Sequence, residues 1–362
     1  MSRIVIIGAG IVGSSLAALL SENKKHEVHV IEKNQKIAEG VTSRNSGVIH
    51  SGLYYAQDSL KAQLCIEGQK LLYEWCEKYK VPHQKTGKLI IACEQVEEER
   101  LYQIRENALR SGVDKDNLAF LEGPKIQKNY PFLKAKYALF VKESGIVDPH
   151  KYCYSFYSKA LSNETDFHFL CKVQEIEKKN HYTVKTNRGE LECDFILNAA
   201  GLYADEIAQL VGIHKYKIYP WRGDYFKINL PYKVDKLVYP AIKKNAQGLG
   251  VHLTLDLQGS TFLGPDVEFS SSKDDFRARE DKKEIFFLGA SRMFEDIKPT
   301  MLSYETCGIR PKLRSPTDTE EKDFVISEDI PGFINLVGLE SPGLTAAIAI
   351  ARFVKQKYFH LL

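Results

Sequence analysis

Two hydrophobic periods alternate along the chain. Residues 3–7 form a short β-branched run, as expected of a strand buried on both faces. Gly8-Ala9-Gly10-Ile11-Val12-Gly13 follows at once, residues 14–20 then read as helix, and residues 28–31 predict a second strand ending in Glu32. Leu60, Leu64, Gly68, Leu71, Trp75 and Tyr79 recur at helical spacing, so residues 59–80 predict an amphipathic helix capped by Asp58 or Ser59, with Trp75 and Tyr79 in its core face. Glu97-Glu98-Glu99-Arg100 opens a charged helix to about Arg110, read as a solvated face. Residues 194–199 predict another apolar strand, turning through Ala200-Gly201 into a helix from Ala204. Residues 332–338 predict a last strand, followed by Gly338-Leu339-Glu340-Ser341-Pro342-Gly343-Leu344 and an apolar helix over 345–358. Between them, residues 220–300 hold strand-like runs at 261–263 and 285–288, interrupted by the polar stretch 270–283. This predicts a half-exposed antiparallel sheet with a surface excursion.

Composition narrows the class. A chain of 362 residues exceeds what one core usually organises, and 44% hydrophobic with 27% charged residues is globular. Fifty Lys plus Arg against 47 Asp plus Glu leave only +3, with no basic tract, so nucleic acid is not an expected partner. The seven cysteines are scattered and include no CxxC, which predicts free thiols in a reducing, cytoplasmic setting and no metal site. Residues 4–20 are interrupted by Gly8, Gly10 and Gly13 and are short for a bilayer helix, so neither a signal peptide nor an integral membrane segment is expected.

The first glycine cluster carries chemistry. Gly8 permits the tight turn, Gly10 lets a pyrophosphate approach the backbone, and Gly13 lets the helix pack on the strand. The helix N-terminus offers amides to phosphate, and Glu32 can accept hydrogen bonds from a ribose. Strand, glycines, helix, strand and acid occur in the order a dinucleotide site needs. The polar loop 42–52 lies where a nicotinamide fold would continue with regular structure, and two later strand-to-glycine turns, at Gly201 and Gly338, bring the chain back. A cofactor met from several sides is a long one.

These segments resemble the FAD-dependent oxidoreductases of the D-amino-acid oxidase superfamily, and within it the 2-hydroxyglutarate dehydrogenase and oxidase group. The matching runs are Arg44-Asn45-Ser46-Gly47-Val48-Ile49-His50-Ser51-Gly52-Leu53-Tyr54-Tyr55, Gly145-Ile146-Val147-Asp148, Asn198-Ala199-Ala200-Gly201-Leu202-Tyr203-Ala204-Asp205, Arg222-Gly223-Asp224-Tyr225 and Gly250-Val251-His252-Leu253-Thr254. The resemblance implies an α/β fold in which a Rossmann-like FAD-binding domain of the glutathione-reductase type is interleaved with a β-rich α+β substrate domain. The expected division is 1–85, 145–212 and 303–362 for FAD, with 86–144 and 213–302 for substrate. It further implies oxidation of the C2 hydroxyl of L-2-hydroxyglutarate to 2-oxoglutarate, an amine, amino-acid or glycerol-3-phosphate oxidoreductase being the alternative within the fold. Gly8, Gly10, Gly13, Glu32, Arg44, Asn45, Ser46, Gly47, Gly201, Gly338, Ser341, Gly343 and Leu344 are the expected cofactor residues. Some relatives carry a histidine at Arg44, where parts of the superfamily tether flavin; arginine cannot, so FAD is expected to be non-covalent. Relatives more often show a proline and an acidic residue where this chain has Ala241-Ile242-Lys243-Lys244, which ties exact specificity to that stretch.

Such a reaction asks three things of the protein: C2–H held at the flavin, a place for the hydroxyl proton, and cations for the carboxylates. A dianion cannot leave water without cationic partners, and arginine forks fit carboxylates. Arg310 matches an arginine that holds substrate carboxylate in related amino-acid oxidases. Arg222 is the second expected clamp, with contact to flavin or a pair with Asp224 as its other possible roles. His252 and His50 are the candidate bases, since imidazole titrates near neutrality. Tyr55 and Tyr225 are candidate contacts to the distal carboxylate. The helix beginning near Gly343 could direct its N-terminal amides at charge on the reduced flavin. Oxygen, a quinone or a carrier remain open as electron acceptor, the last two with peripheral contact at the inner face of a membrane.

Overall fold

A computed structural model describes residues 2–242 and 250–359. Its first layer is a six-stranded sheet in the order Val325–Ile330, Phe333–Val337, Phe195–Asn198, Ser2–Ile7, His26–Ile31, Asp166–His168. Every neighbouring pair is parallel except the first. The central strand Ser2–Ile7 is buried through Ile4, Val5, Ile6 and Ile7, which is why its sequence shows no alternation. Three chain segments that are far apart in sequence thus build one sheet.

Helices cover one face of it. Ile11–Leu20 packs against Gly343–Tyr358, where the Ser15 hydroxyl donates to the Ala347 carbonyl at 3.1 Å. Leu60–Tyr79 is capped by Ser59, whose Oγ accepts from the Ala62 amide at 3.1 Å, as its sequence predicts. Trp75 is buried and stacked on Phe156, and Tyr79, partly buried, packs tilted against it, so both aromatics serve the core rather than the cavity.

The second layer is a nine-stranded sheet, largely antiparallel, formed by segments of 88–141 and 219–312. Two expectations change here. Residues 285–288 are not a strand but part of the helix Lys283–Met293. Phe286, Ala290 and Met293 are buried at helical spacing while Ile285 and Leu288 are exposed, so a short apolar run concealed a 3.6 period. The charged helix Glu98–Arg110 is more than a solvated face, because Leu101, Ile104 and Ala108 are buried in it. Lys243 and Lys244, singled out for specificity, lie outside the described residues.

Candidate active site

Between the two sheets lies a cavity of about 560 Å³. Its walls contain Gly8, Gly10, Glu32, Arg44, Asn45, Ser46, His50, Tyr55, Gly201, Tyr225, His252, Arg310, Ser341, Gly343 and Leu344. These fifteen residues, singled out from seven stretches of sequence, therefore meet around one space. Gly47 lines a smaller neighbouring cavity of about 260 Å³ that shares Asn45, Ser46 and Tyr225. Gly13 and Gly338 lie behind the walls as packing residues. A β-carbon at Gly338 would sit 2.7 Å from Leu313, and one at Gly13 would sit 1.8 Å from the Gly8 carbonyl oxygen.

One end of the cavity has the features of a dinucleotide cradle. Gly8 turns with φ +107°, and a β-carbon there would meet the Ala199 carbonyl oxygen at 2.5 Å. Thr42 Oγ1 accepts from the Ile11 amide at 3.0 Å, holding the 42–52 loop against the helix N-terminus. Glu32 follows its strand directly and is nearly buried; its carboxylate accepts from the Ala9 amide at 2.8 Å and the Asn34 amide at 2.9 Å. Each oxygen still has a lone pair for a ribose hydroxyl. The Arg44 guanidinium packs on the Phe276 ring at 4.1 Å.

The other end is built by strand parity. In the pair Tyr219–Ile228 with Leu302–Lys312, Trp221 is opposite Arg310 and Gly223 is opposite Gly308. Trp221, Gly223, Tyr225, Gly308 and Arg310 therefore share one face, and Arg222 and Asp224 share the other. A β-carbon at Gly223 would lie 2.9 Å from Arg310 Nη1, so the absent side chain is what makes room for the guanidinium. Among the described residues Arg310 donates only to the Asp266 carbonyl, at 3.2 and 3.3 Å, which leaves donors of its fork for the cavity.

Arg222 is not brought to the cavity. It takes the other role open to it, a buried pair with Asp224: Nη2 lies 2.6 Å from Oδ1, and Nη1 donates to the Asp275 carbonyl at 2.7 Å. Burial would raise the Asp224 carboxyl, but hydrogen bonds from Arg222 and Lys282 hold it below the usual range. Alternation alone separates Arg222 from Tyr225, and that signal was present in the sequence.

The two histidines differ in their bonding. His252 Nδ1 is 2.8 Å from the Gly250 carbonyl, which can only accept. In the neutral ring Nδ1 therefore carries the proton and Nε2 keeps its lone pair. The ring stacks on Tyr239 with centroids 4.0 Å apart. Burial, with the nearby charges of Lys88 and Arg310, pushes its pKa down to about 3 against the hydrogen bond to Gly250. His50 Nε2 lies 3.3 Å from Ser341 Oγ, while its own amide donates to Thr345 Oγ1 at 3.1 Å. Burial, then Lys88 and His252, hold it well below its ordinary value too.

Several cavity residues escaped sequence reading. Arg100 reaches the wall from the charged helix and donates to the Ile242 carbonyl at 3.0 Å. Lys61 and Glu340 form a nearly buried pair at 2.8 Å, and Lys312 joins Glu340 at 3.6 Å and Glu321 at 2.7 Å. Burial would raise Glu340, yet Lys61, Lys312 and Arg310 hold it low. Tyr54 and Tyr239 add aromatic wall. Tyr54 and Tyr55 were quoted in the motif, but nothing local marked Arg100 or Lys61 as more than helix-surface charges.

The comparisons with known proteins agree with this geometry. The model of the DAO family, FAD dependent oxidoreductase, matches residues 3–357. The chain belongs to that family. It is an FAD-dependent oxidoreductase, and the cradle at Gly8, Gly10 and Glu32 fits the dinucleotide half of that cofactor. The chain is 34% identical to the mitochondrial L-2-hydroxyglutarate dehydrogenase of Arabidopsis thaliana, covering 98% of this chain and 83% of that one. It is 31% identical to a glycerol 3-phosphate dehydrogenase of Caloramator mitchellensis, covering 98% and 73%. Among solved structures, a reduced L-alpha-glycerophosphate oxidase from Mycoplasma pneumoniae with FAD bound superposes with a TM-score of 0.87 at 26% identity, over 97% of this chain and 94% of that one. A glycine oxidase from Geobacillus kaustophilus, 16% identical with a TM-score of 0.82, shares the fold.

Proposed function

We propose that this flavoenzyme oxidises L-2-hydroxyglutarate to 2-oxoglutarate. The observation that carries the reading is the meeting of an Arg310 fork with free donors and an unprotonated His252 Nε2 in one cavity beside the dinucleotide cradle. The 34% identity to the plant L-2-hydroxyglutarate dehydrogenase supports it. Bound FAD supplies the hydride acceptor, with the cradle residues holding it non-covalently since Arg44 offers no tethering atom.

The chain's own residues then have distinct tasks. Arg310 takes the carboxylate next to C2 in a bidentate grip, which fixes the direction of the C2–H bond. His252 Nε2 accepts the hydroxyl proton. Glu340 stays ionised beside Lys61 and keeps that lysine from competing for substrate. Tyr55 and Tyr225 close the cavity around the distal end and exclude water. In the same reading the cofactor unit takes 1–85, 145–212 and the chain after 312, because Leu302–Lys312 pairs within the large sheet. A reducing, cytoplasmic compartment belongs to the same reading, supported by scattered cysteines that include no CxxC; no described helix is long and apolar enough to cross a membrane.

Anaerobic L-2-hydroxyglutarate should bleach the purified yellow protein, whereas D-2-hydroxyglutarate and glycine should not. Persistence of the yellow colour with L-2-hydroxyglutarate overturns the proposal. Glycerol 3-phosphate belongs in the same panel, since the bacterial relative and the Mycoplasma oxidase favour it as a second reading. Peroxide release on adding air separates oxygen from a quinone or carrier as acceptor. Arg310→Met should then lower kcat/KM by about 10²–10³, the loss expected when one partner of a buried ion pair is removed. Arg310→Lys should recover only part of this, because an ammonium lacks the fork.

A further inference from the structure

Six Lys or Arg residues are buried among the described residues. Five have a carboxylate within 4.0 Å: Lys61 has Glu340, Arg222 and Lys282 have Asp224, and Lys312 and Arg314 have Glu321. Lys88 is the exception, 1% exposed, with neither a carboxylate nor a hydrogen-bond acceptor among the described residues. It opens the strand Lys88–Ala92, opposite Leu237 in a parallel pair, so Tyr239, two residues on, shares its face. Its Nζ lies 4.2 Å from the centre of the Tyr239 ring, and that ring is the one stacked on His252.

We infer that Lys88 is the counter-charge for the anionic group a substrate carries away from its reacting carbon, and that it sets the cavity's preference for dianions over monoanions. This rests on reading the cavity as a hydroxy-acid site. A buried cation without a partner is costly, and a fold that needed only bulk there would be better served by an apolar side chain. The titratable groups around Nζ are Cys65 on the Leu60–Tyr79 helix, Tyr239 on its neighbouring strand, and His50 and His252 on the cavity wall. None of them is an acid ionised at neutral pH. Burial draws the ammonium pKa down to about 8, which leaves it mostly charged at pH 7.

Lys88 stands behind Tyr239 rather than in the wall, so it acts as a positioning residue, through its field. In a poorly screened interior that field extends several ångströms. It draws a distal carboxylate or phosphate towards Tyr239 and disfavours a proton on either histidine while the cavity lacks an anion. A bound dianion offsets the field and so raises the basicity of His252 when a hydroxyl proton must be taken up.

The test uses FAD-loaded Lys88→Met and Lys88→Arg, with glutarate and butyrate as non-oxidisable ligands followed by the flavin absorbance change. In Lys88→Met the glutarate dissociation constant should rise about 30-fold and that of butyrate less than about threefold, as loss of one charge at this range predicts. Lys88→Arg should keep the preference. Lys88→Met should unfold no lower than the wild type, since an unpaired charge has gone. Equal shifts for both ligands, or a lower Tm with no change in their ratio, overturn the inference; Lys88→Gln serves as a second neutral variant if methionine disturbs flavin loading. Wild-type bleaching reports separately on the substrate. If glycerol 3-phosphate bleaches the protein and L-2-hydroxyglutarate does not, the functional reading falls, and Lys88 is judged on glycerol 3-phosphate against glycerol.

Discussion

Gly13→Ala is expected to abolish flavin binding and to destabilise the whole N-terminal layer. The added methyl would sit 1.8 Å from the Gly8 oxygen and 3.0 Å from its carbonyl carbon, and both are backbone atoms in the turn that faces the cofactor. No rotamer relieves such a contact, so the helix Ile11–Leu20 must lift from the strand Ser2–Ile7. Overpacking of this kind costs about 3 kcal/mol or more, a large share of a domain's stability. The measurement is flavin absorbance per protein together with Tm, on protein purified without added FAD. Gly10→Ala is the informative control. Its methyl would meet only Thr42 Oγ1, at 3.2 Å, so the fold should survive while flavin affinity drops, because the backbone there must be approached by phosphate. A Gly13→Ala protein that is yellow, with an unchanged Tm, would remove the close-packing argument for this turn.

The second large effect is expected at His252. His252→Asn should slow flavin reduction by about 10²–10⁴, the usual worth of a positioned base, with a much smaller change in substrate affinity. His50→Asn should cost less, since His50 Nε2 already lies against Ser341. The pH dependence follows from the depressed pKa. His252 is neutral in the free enzyme down to about 3, so kcat/KM should show no limb near 6.5 and stay level from about pH 7 to about 5, falling above that as Lys88 loses its charge near 8. The same depression has a cost in stability. Below the ordinary value of 6.5 the unfolded chain accepts a proton that the folded chain refuses, so the His252 contribution falls as pH drops from 6.5 towards 3. In Lys88→Met the acid limb should shift upward but stay well below 6.5, because burial, the larger cause of the depression, remains. A limb near 6.5 in the wild type would assign the proton to another group.

Local order in the sequence was enough to specify the dinucleotide end. The run from residue 3 to Glu32 states strand, turn, helix, strand and acid in the order a cradle needs, and Gly13 is required for a contact with Gly8 five residues away. Segments 42–55, 198–205 and 338–344 were legible as cavity walls for the same reason: their glycines and polar side chains have no role in a regular element. Short apolar runs were less informative, and residues 285–288 went to a helix because four residues cannot distinguish a 2.0 from a 3.6 period.

What the tertiary structure decided was the charge at the substrate end. From sequence, Arg310 was the expected carboxylate clamp and Arg222 a second one, with flavin contact or a pair with Asp224 left open. Pairing of their strands put Arg310 on the cavity face and gave Arg222 to Asp224 on the other. Lys88 was one lysine in an apolar strand until Tyr239 and His252 packed beside it. The motif residues carry information locally, whereas the worth of a charge depends on which partner it lacks. That is fixed only when strands far apart in sequence meet, Tyr219–Ile228 with Leu302–Lys312 and Lys88–Ala92 with Leu237–Pro240.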